Sequence, residues 1–280
     1  MPELPEVETI RRTLLEKIQN QTIKEIICYH PDVLINQENL SLNDWLIQDI
    51  RRRGKYLLFD LTKAEQSTTE NNSIVAMIHL RMTGKLLLED TIVEPAKHTH
   101  VRFILNNGGS LDFNDVRRFG RVTMFSAGNE FSDRGYATLG PEPLGDDFTA
   151  DYLIKICQRF KRSTIKGVLL NQQAIAGIGN IYADESLFRA GIKPDQKAGE
   201  ISEELLTVLH QKIREVIAEA IGHRGTSFRD YVDGLGNKGF FQLKLAVYQK
   251  DGDLCPVCDT TIEKIKVAGR STHFCPNCQK

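Results

Sequence analysis

The chain has 280 residues, 41% hydrophobic and 26% charged, which is long enough for two domains with cores of their own. A net charge of −1 excludes indiscriminate nucleic-acid binding, so any DNA partner must be met by local basic surface. No apolar run approaches a membrane span, and the start is acidic rather than basic-then-apolar, so neither membrane insertion nor secretion is expected.

The first residues, Met1-Pro2-Glu3-Leu4-Pro5-Glu6, support two compatible readings. Pro5 suits a first helical turn, Glu6 and Glu8 complement its positive end, and Val7, Ile10, Leu14, Leu15 and Ile18 recur at helical spacing. Helix chemistry does not explain why Pro2 and Glu3 come first. If Met1 is removed, as the small Pro2 allows, the new terminus is a secondary amine beside a carboxylate. Its reference pKa, about 7.7 to 8.0, leaves a usable unprotonated fraction near neutrality. A secondary amine forms only a charged iminium with a sugar aldehyde, and that iminium is an electron sink for β-elimination.

Short β-rich segments follow at 22–29, 46–50, 56–61, 74–80, 85–88, 101–105, 110–113 and 122–125. Many short strands with polar turns suggest a sandwich. Three basic clusters punctuate the chain: Arg51, Arg52, Arg53 and Lys55; Arg117, Arg118 and Arg121; Lys161, Arg162 and Lys166. Residues 128–147 interrupt the strand pattern and read as a linker. Helical spacing then gives candidates near 149–159, 164–172, 180–190 and 202–221. Between the second and third, Gly177-Ile-Gly-Asn180 forms a sharp turn in which Asn180 caps the next helix, whose N–H groups can hold a phosphate. Four glycines at 225, 234, 236 and 239 mark a loop suited to a lid.

Cysteine usage is the strongest local signal. Cys255-Pro-Val-Cys258 and Cys275-Pro-Asn-Cys278 are two knuckles with sixteen residues between them, the spacing of a four-cysteine zinc site. Four thiolates close the coordination shell, so one structural Zn2+ is expected to hold the intervening hairpin. Cys28 and Cys157 lie in apolar stretches and read as buried small hydrophobes.

Six separated blocks carry a resemblance over essentially the whole chain. Met1-Pro-Glu-Leu-Pro-Glu-Val-Glu-Thr9, Lys55-Tyr-Leu-Leu58, His79-Leu-Arg-Met-Thr-Gly84, Arg117-Arg-Phe-Gly120, Gly177-Ile-Gly-Asn-Ile-Tyr182 and the knuckles resemble the formamidopyrimidine-DNA glycosylase family in order and spacing. The resemblance implies an α+β multidomain fold. An N-terminal β-sandwich with flanking helices spans 1–130 and a linker 131–147. A helical helix-two-turn-helix domain spans 148–224, a lesion-capping loop 225–241, and a zinc-finger β-hairpin 242–280.

It also implies a bifunctional glycosylase and abasic-site lyase of base excision repair, acting on 8-oxoguanine and formamidopyrimidines. Pro2 would attack the sugar, Glu3 would protonate the opening ring, and β- and δ-elimination would follow. Lys55 and Arg270 match residues assigned to phosphate contact and elimination chemistry, and Asn180 shares the phosphate contact. Met82, Arg117 and Phe119 match the set that fills the hole left by a flipped base. His98, Arg162 and Lys166 match further DNA-contacting positions. The implied partner is double-stranded DNA carrying oxidised purines or abasic sites, with no membrane, met by a monomer in the bacterial cytoplasm.

Departures are small: Arg81 and Thr83 stand where glycine and serine are common, which bears on damage preference. Arg162 stands where lysine often occurs, preserving charge but not contact geometry. Two alternatives compete. One is an endonuclease VIII-like enzyme for oxidised pyrimidines, opposed by Leu4 in the opening motif and by Arg117-Arg-Phe-Gly120. The other is a noncatalytic zinc-finger DNA-binding protein, opposed by Pro2, Glu3 and Lys55.

Overall fold

The apolar spacing at the N-terminus forms helix α1 (Leu4–Ile18), which buries Val7, Ile10, Leu14 and Ile18. The computed structural model describes residues 1–63, 72–227 and 231–280. They divide into two compact units, Met1–Ala137 with Arg224–Gly239, and Thr138–His223 with Phe240–Lys280.

In the first unit, α1 packs on a nine-stranded sheet, chiefly against β3 and β4. Its strands are β1 (Thr22–Cys28), β2 (Leu34–Ile35), β3 (Asn43–Arg53), β4 (Tyr56–Lys63), β5 (Ser73–His79), β6 (Gly84–Glu89), β7 (Thr99–Leu105), β8 (Ser110–Asp115) and β9 (Arg121–Ser126). They run β2-β9-β5-β4-β3-β1-β7-β8-β6 in one continuous sheet. Three strand steps separate β4 from β7, roughly 14 Å in a flat sheet. Yet Phe59 of β4 stacks on Phe103 of β7 with ring centroids 6.4 Å apart. The sheet therefore folds over on itself, and the two layers of the sandwich are halves of one sheet. Trp45, Leu57, Phe59, Phe103 and Phe113 fill one core cluster with α1.

One expectation needs correction here. Cys28 is exposed, because β1 ends with it and the core does not reach that far. Only two residues long, β2 pairs in parallel with β9, too short for any alternation to announce it.

The expected linker is divided: residues 131–137 stay with the first unit, in a 3-10 turn (Asn129–Ser132) and the single-turn helix α2 (Arg134–Ala137), and residues 138–147 belong to the second. Arg224–Gly239 also joins the first unit. Of the expected capping loop 225–241, residues 228–230 lie outside the described residues. Gly234 and Gly239 serve close packing, while Gly225 and Gly236 hold left-handed backbone at φ 75° and 81°. A Cβ on Gly239 would meet Gly225 O at 2.2 Å, and one on Gly234 would meet Leu14.

The second unit holds α3 (Ala150–Arg159), α4 (Ile165–Leu170), α5 (Asn180–Ala190), α6 (Glu203–Gly222) and the hairpin β10 (Glu263–Val267) with β11 (Arg270–Phe274). Hydroxyls of Thr149, Thr164 and Ser202 cap α3, α4 and α6 by accepting backbone N–H groups, which satisfies otherwise orphaned donors. Helix α5 is packed by α4, α6 and β11, so even Asp184, Glu185 and Ser186 are buried. Burial also pushes the Cys157 thiol up to about 12, leaving it inert. Among the described residues, no helix is long and apolar enough to cross a membrane.

Candidate active site and zinc centre

Pro2 and Glu3 are both buried at the entrance to α1. With Met1 present, the Pro2 nitrogen is an amide. Glu3 is the N-cap of α1, and the Glu6 carboxylate reaches back to accept its N–H at 2.8 Å. The other Glu6 oxygen accepts the Thr226 N–H at 2.7 Å. The Tyr231 hydroxyl donates to the carbonyls of Glu6 and Arg224 at 3.3 and 3.2 Å. One carboxylate thus ties the first residues to the loop at 224–239, a role beyond that of a dipole partner.

Lys55 lies in the two-residue connection of the β3–β4 hairpin, after Gly54 at φ 56°, and is buried. His79, which pairs across the sheet with Tyr56, accepts the Arg81 N–H at Nδ1 (3.0 Å). Burial, with the charges of Arg81 and Lys55, holds its imidazole down at about 3. Its ring is therefore neutral, with its proton on Nε2. Sequence reasoning passed over His79 as part of a motif block. Its place beside Lys55 follows from hairpin register.

The basic clusters are less uniform than their composition suggests. Arg51 is committed to Asp60 at 2.5 and 2.6 Å, and Arg52 to Glu8 at 3.0 Å. Glu8 also accepts from Arg11 and Arg12. Burial would raise the Glu8 carboxyl, but these three guanidiniums outweigh it and hold it at about 2. Here the arginines brace α1 on the sheet.

The candidate intercalators do sit in solvent. Met82 is 37% and Phe119 49% exposed, although both are large and apolar. The Arg117 guanidinium lies 4.6 Å over the Phe119 ring, a cation–π contact that pre-shapes the tip. Half-buried His98 has φ 74° just before β7.

In the second unit, Gln172 braces the Gly177 turn. It accepts the Gly177 N–H at 2.9 Å and donates to Leu170 O and Ile178 O. The cap of α5 is Gly179, not Asn180. Asn180 is the first helical residue, and it donates from Nδ2 to Ser271 O at 2.9 Å, next to exposed Arg270. Arg270 closes the β10–β11 hairpin opposite Val267. The two turn residues, Ala268 and Gly269, have φ 48° and 74°, the twist a two-residue hairpin favours. Arg162 is exposed in the turn after α3.

Lys166 is a correction. Its side chain and that of Asp184 are 0% exposed, with Nζ 2.5 Å from Oδ1. Nζ also donates to Thr272 Oγ1 (2.7 Å) and Ser271 O (3.3 Å). Asp184 accepts the His273 N–H at 3.0 Å, and Glu185 accepts three N–H groups from Ala246, Val247 and Tyr248. Lys166 is therefore a strut between α4, α5 and β11, not a phosphate ligand. Asp184 and Glu185 were missed because a solvated helix face would look the same in sequence.

All four knuckle sulfurs lie within 4.8 Å of one another. Cys255 and Cys278 are 3.9 Å apart at Sγ, and Cys258 and Cys275 3.4 Å. A tetrahedral four-thiolate zinc site with Zn–S near 2.3 Å has sulfurs about 3.8 Å apart, so the residues fit the ion. The Cys278 N–H points at Cys275 Sγ (3.4 Å), and Gln279 ties Cys275 N to Ile192 O. These three bonds orient the ligands.

Comparison with known proteins agrees with this geometry along the chain. The formamidopyrimidine-DNA glycosylase N-terminal domain matches residues 1–122, the H2TH domain of the same family 139–232, and the zinc finger found in FPG and IleRS 252–280. Formamidopyrimidine-DNA glycosylase of Carboxydothermus hydrogenoformans is 45% identical over 100% of both chains. That of Lactobacillus helveticus is 43% identical over 100% of this chain and 99% of its own. A Lactococcus lactis FPG variant solved with Fapy-dG DNA has TM-score 0.89 and 38% identity, with full coverage of both chains. The wild-type Lactococcus enzyme with oxidised-pyrimidine DNA has TM-score 0.88, 37% identity and the same coverage. The Thermus thermophilus protein has TM-score 0.86 and 37% identity, covering 99% of this chain and 98% of that one. Three matched regions in order, full-length relatives and a thiolate cage of the right size lead to one assignment: the chain belongs to the formamidopyrimidine-DNA glycosylase family.

Proposed function

We propose that the chain, after loss of Met1, is a bifunctional DNA glycosylase and abasic-site lyase that removes oxidised purines. The observation that carries this reading is the buried Pro2–Glu3 pair at the positive end of α1. A helix N-terminus disfavours a protonated amine nearby, so the nucleophile stays available. The Pro2 amine attacks sugar C1′ and the base leaves with the glycosidic electron pair. Glu3 gives its proton to the ring oxygen as the sugar opens, producing an iminium. Loss of a C2′ proton then expels the 3′ phosphate, and δ-elimination expels the 5′ phosphate. Lys55 serves phosphate contact and proton transfer in the first elimination, and Arg270 serves phosphate contact and the second. Met82 plugs the stack, Phe119 wedges it, and Arg117 hydrogen-bonds the orphaned base.

Asn180, Arg162 and His98 are assigned to further DNA contacts, and Cys255, Cys258, Cys275 and Cys278 to one structural zinc. That ion supplies only rigidity, because four thiolates leave no open position. The enzyme acts as a monomer on double-stranded DNA in the bacterial cytoplasm. Pyrimidine excision stands as the second reading, favoured by the Lactococcus relative bound to oxidised-pyrimidine DNA. Excision of 8-oxoguanine and thymine glycol from matched duplexes tests the choice. The proposal expects the purine to be released faster, and preference for thymine glycol would overturn it.

A further inference from the structure

We infer that Asp115 is a positioning residue that locks the turns carrying Met82, Arg117 and Phe119 into one rigid head, so that plug and wedge enter DNA together. The inference rests on the intercalating role proposed above. Asp115 is wholly buried at the end of β8, where it pairs with Gly84, the first residue of β6. Its Oδ1 accepts the Thr83 hydroxyl and, at 3.2 Å, the Arg117 N–H. Its Oδ2 accepts the Gly120 N–H at 2.8 Å. The Thr83 hydroxyl oxygen also accepts the Arg117 N–H at 3.3 Å.

One carboxylate therefore spans the residue after Met82 and both flanks of Phe119. The backbone of Asp115 extends the hub. Its N–H donates to His98 O at 3.0 Å, and its carbonyl accepts from Arg118 N–H (3.2 Å) and His100 Nε2 (2.8 Å).

Two features indicate that the turns need such a brace. Arg81 and Arg118 both have left-handed backbone, φ 54° and 56°, which side chains other than glycine adopt at a cost. Among the described residues no lysine or arginine ion-pairs with Asp115, so its buried charge is held only by N–H and O–H donors. A buried carboxylate without a counter-ion is expensive. The return here is fixed geometry between two otherwise separate exposed turns. Glycines close them at both ends: a Cβ on Gly84 would meet Leu80 O at 2.4 Å, and one on Gly120 the Phe113 ring at 2.5 Å.

The test compares two substrates with the full zinc-loaded chain. Excision of 8-oxoguanine from a duplex requires insertion into the stack, whereas cleavage of a single-stranded oligonucleotide with an abasic site does not. Asp115→Asn turns an acceptor into an NH2 group facing an N–H or O–H donor. It should lower duplex excision roughly tenfold or more, while single-strand cleavage stays within about twofold. Thr83→Val should move the same way by less, and Thr83→Ser should restore wild-type excision. If Asp115→Asn fails to fold by circular dichroism, the Thr83 pair decides. Wild-type duplex excision in Thr83→Val and any folded Asp115→Asn, or equal loss on both substrates, overturns the inference. Phe119→Ala separates the two levels. Full duplex excision in that variant refutes the intercalating role itself, whereas loss there with wild-type rates in the other two refutes only the lock.

Discussion

Replacing Lys166 with methionine removes an ammonium while keeping most of the buried stem, and it separates a strut from a DNA contact. The Nζ lies 2.5 Å from Asp184 Oδ1 with both side chains fully buried. Removing one partner of a buried pair costs about 3–5 kcal/mol, because the remaining charge stays desolvated. Asp184 keeps the His273 N–H at 3.0 Å, which places the expected loss near the lower figure. Adding Asp184→Asn removes the orphaned charge and should recover about half of it.

The assay is urea unfolding of the zinc-loaded protein, followed by far-ultraviolet circular dichroism of the helices. A second arm measures DNA affinity against salt. A lysine on a phosphate would contribute about one unit to the salt slope, whereas a buried strut leaves the slope unchanged even if affinity falls. Wild-type stability in Lys166→Met, or a slope reduced by about one, would refute the strut.

Acid should expose the role of Glu8. Its folded carboxyl sits at about 2 against an ordinary 4.5, so its contribution is full above pH 4.5 and lost as pH falls toward 2. The stability gap between wild type and Glu8→Gln at neutral pH has an upper limit of about 3.5 kcal/mol, about 1.4 kcal/mol for each pH unit between 4.5 and 2, and solvent screening brings it below that. A gap that does not shrink in acid contradicts the arginine cluster as its cause. Cys255→Ser should lower DNA affinity while leaving the sheet folded. Trp45, the one tryptophan, is buried in that sheet and donates to Ser41 O at 2.8 Å, so its fluorescence reports the sheet separately. Undiminished binding by a demonstrably metal-free variant would refute the zinc's role. Pro2→Gly should retain some covalent trapping with abasic DNA, since a primary α-amine still forms an imine; complete loss in the processed variant argues against amine chemistry.

Legibility followed the range of the interactions. Helices α1, α5 and α6 were readable because 3.6-residue spacing is local, and the knuckles because zinc needs four thiolates at fixed intervals. Eight of the strands were readable by composition. The folding-over of one sheet was not, because Phe59 meets Phe103 only through long-range closure. The same distinction runs through the site. Met82, Arg117 and Arg270 were legible only through the motif blocks they belong to, since an exposed methionine or arginine alone reads as packing or solvated surface. Lys166, Arg51 and Arg52 look identical to DNA-facing cations until Asp184, Asp60 and Glu8 are found beside them. Of the bracing carboxylates, Asp184 gave no signal of its own and Glu6 only that of a helix-dipole partner. Asp115, directly before Val116 and the Arg117-Arg-Phe-Gly120 turn, was the most findable, since a short acidic side chain there can accept the N–H groups that follow.

The central claim is that the Pro2 amine, free only once Met1 is gone, is the nucleophile. Borohydride trapping on an 8-oxoguanine duplex tests it directly, comparing processed protein with a chain extended by one uncleavable residue ahead of Pro2. The account predicts a covalent adduct mapped by mass spectrometry to Pro2 in the processed protein and none in the extended one. An adduct on a lysine, or normal turnover by the extended chain, would contradict it.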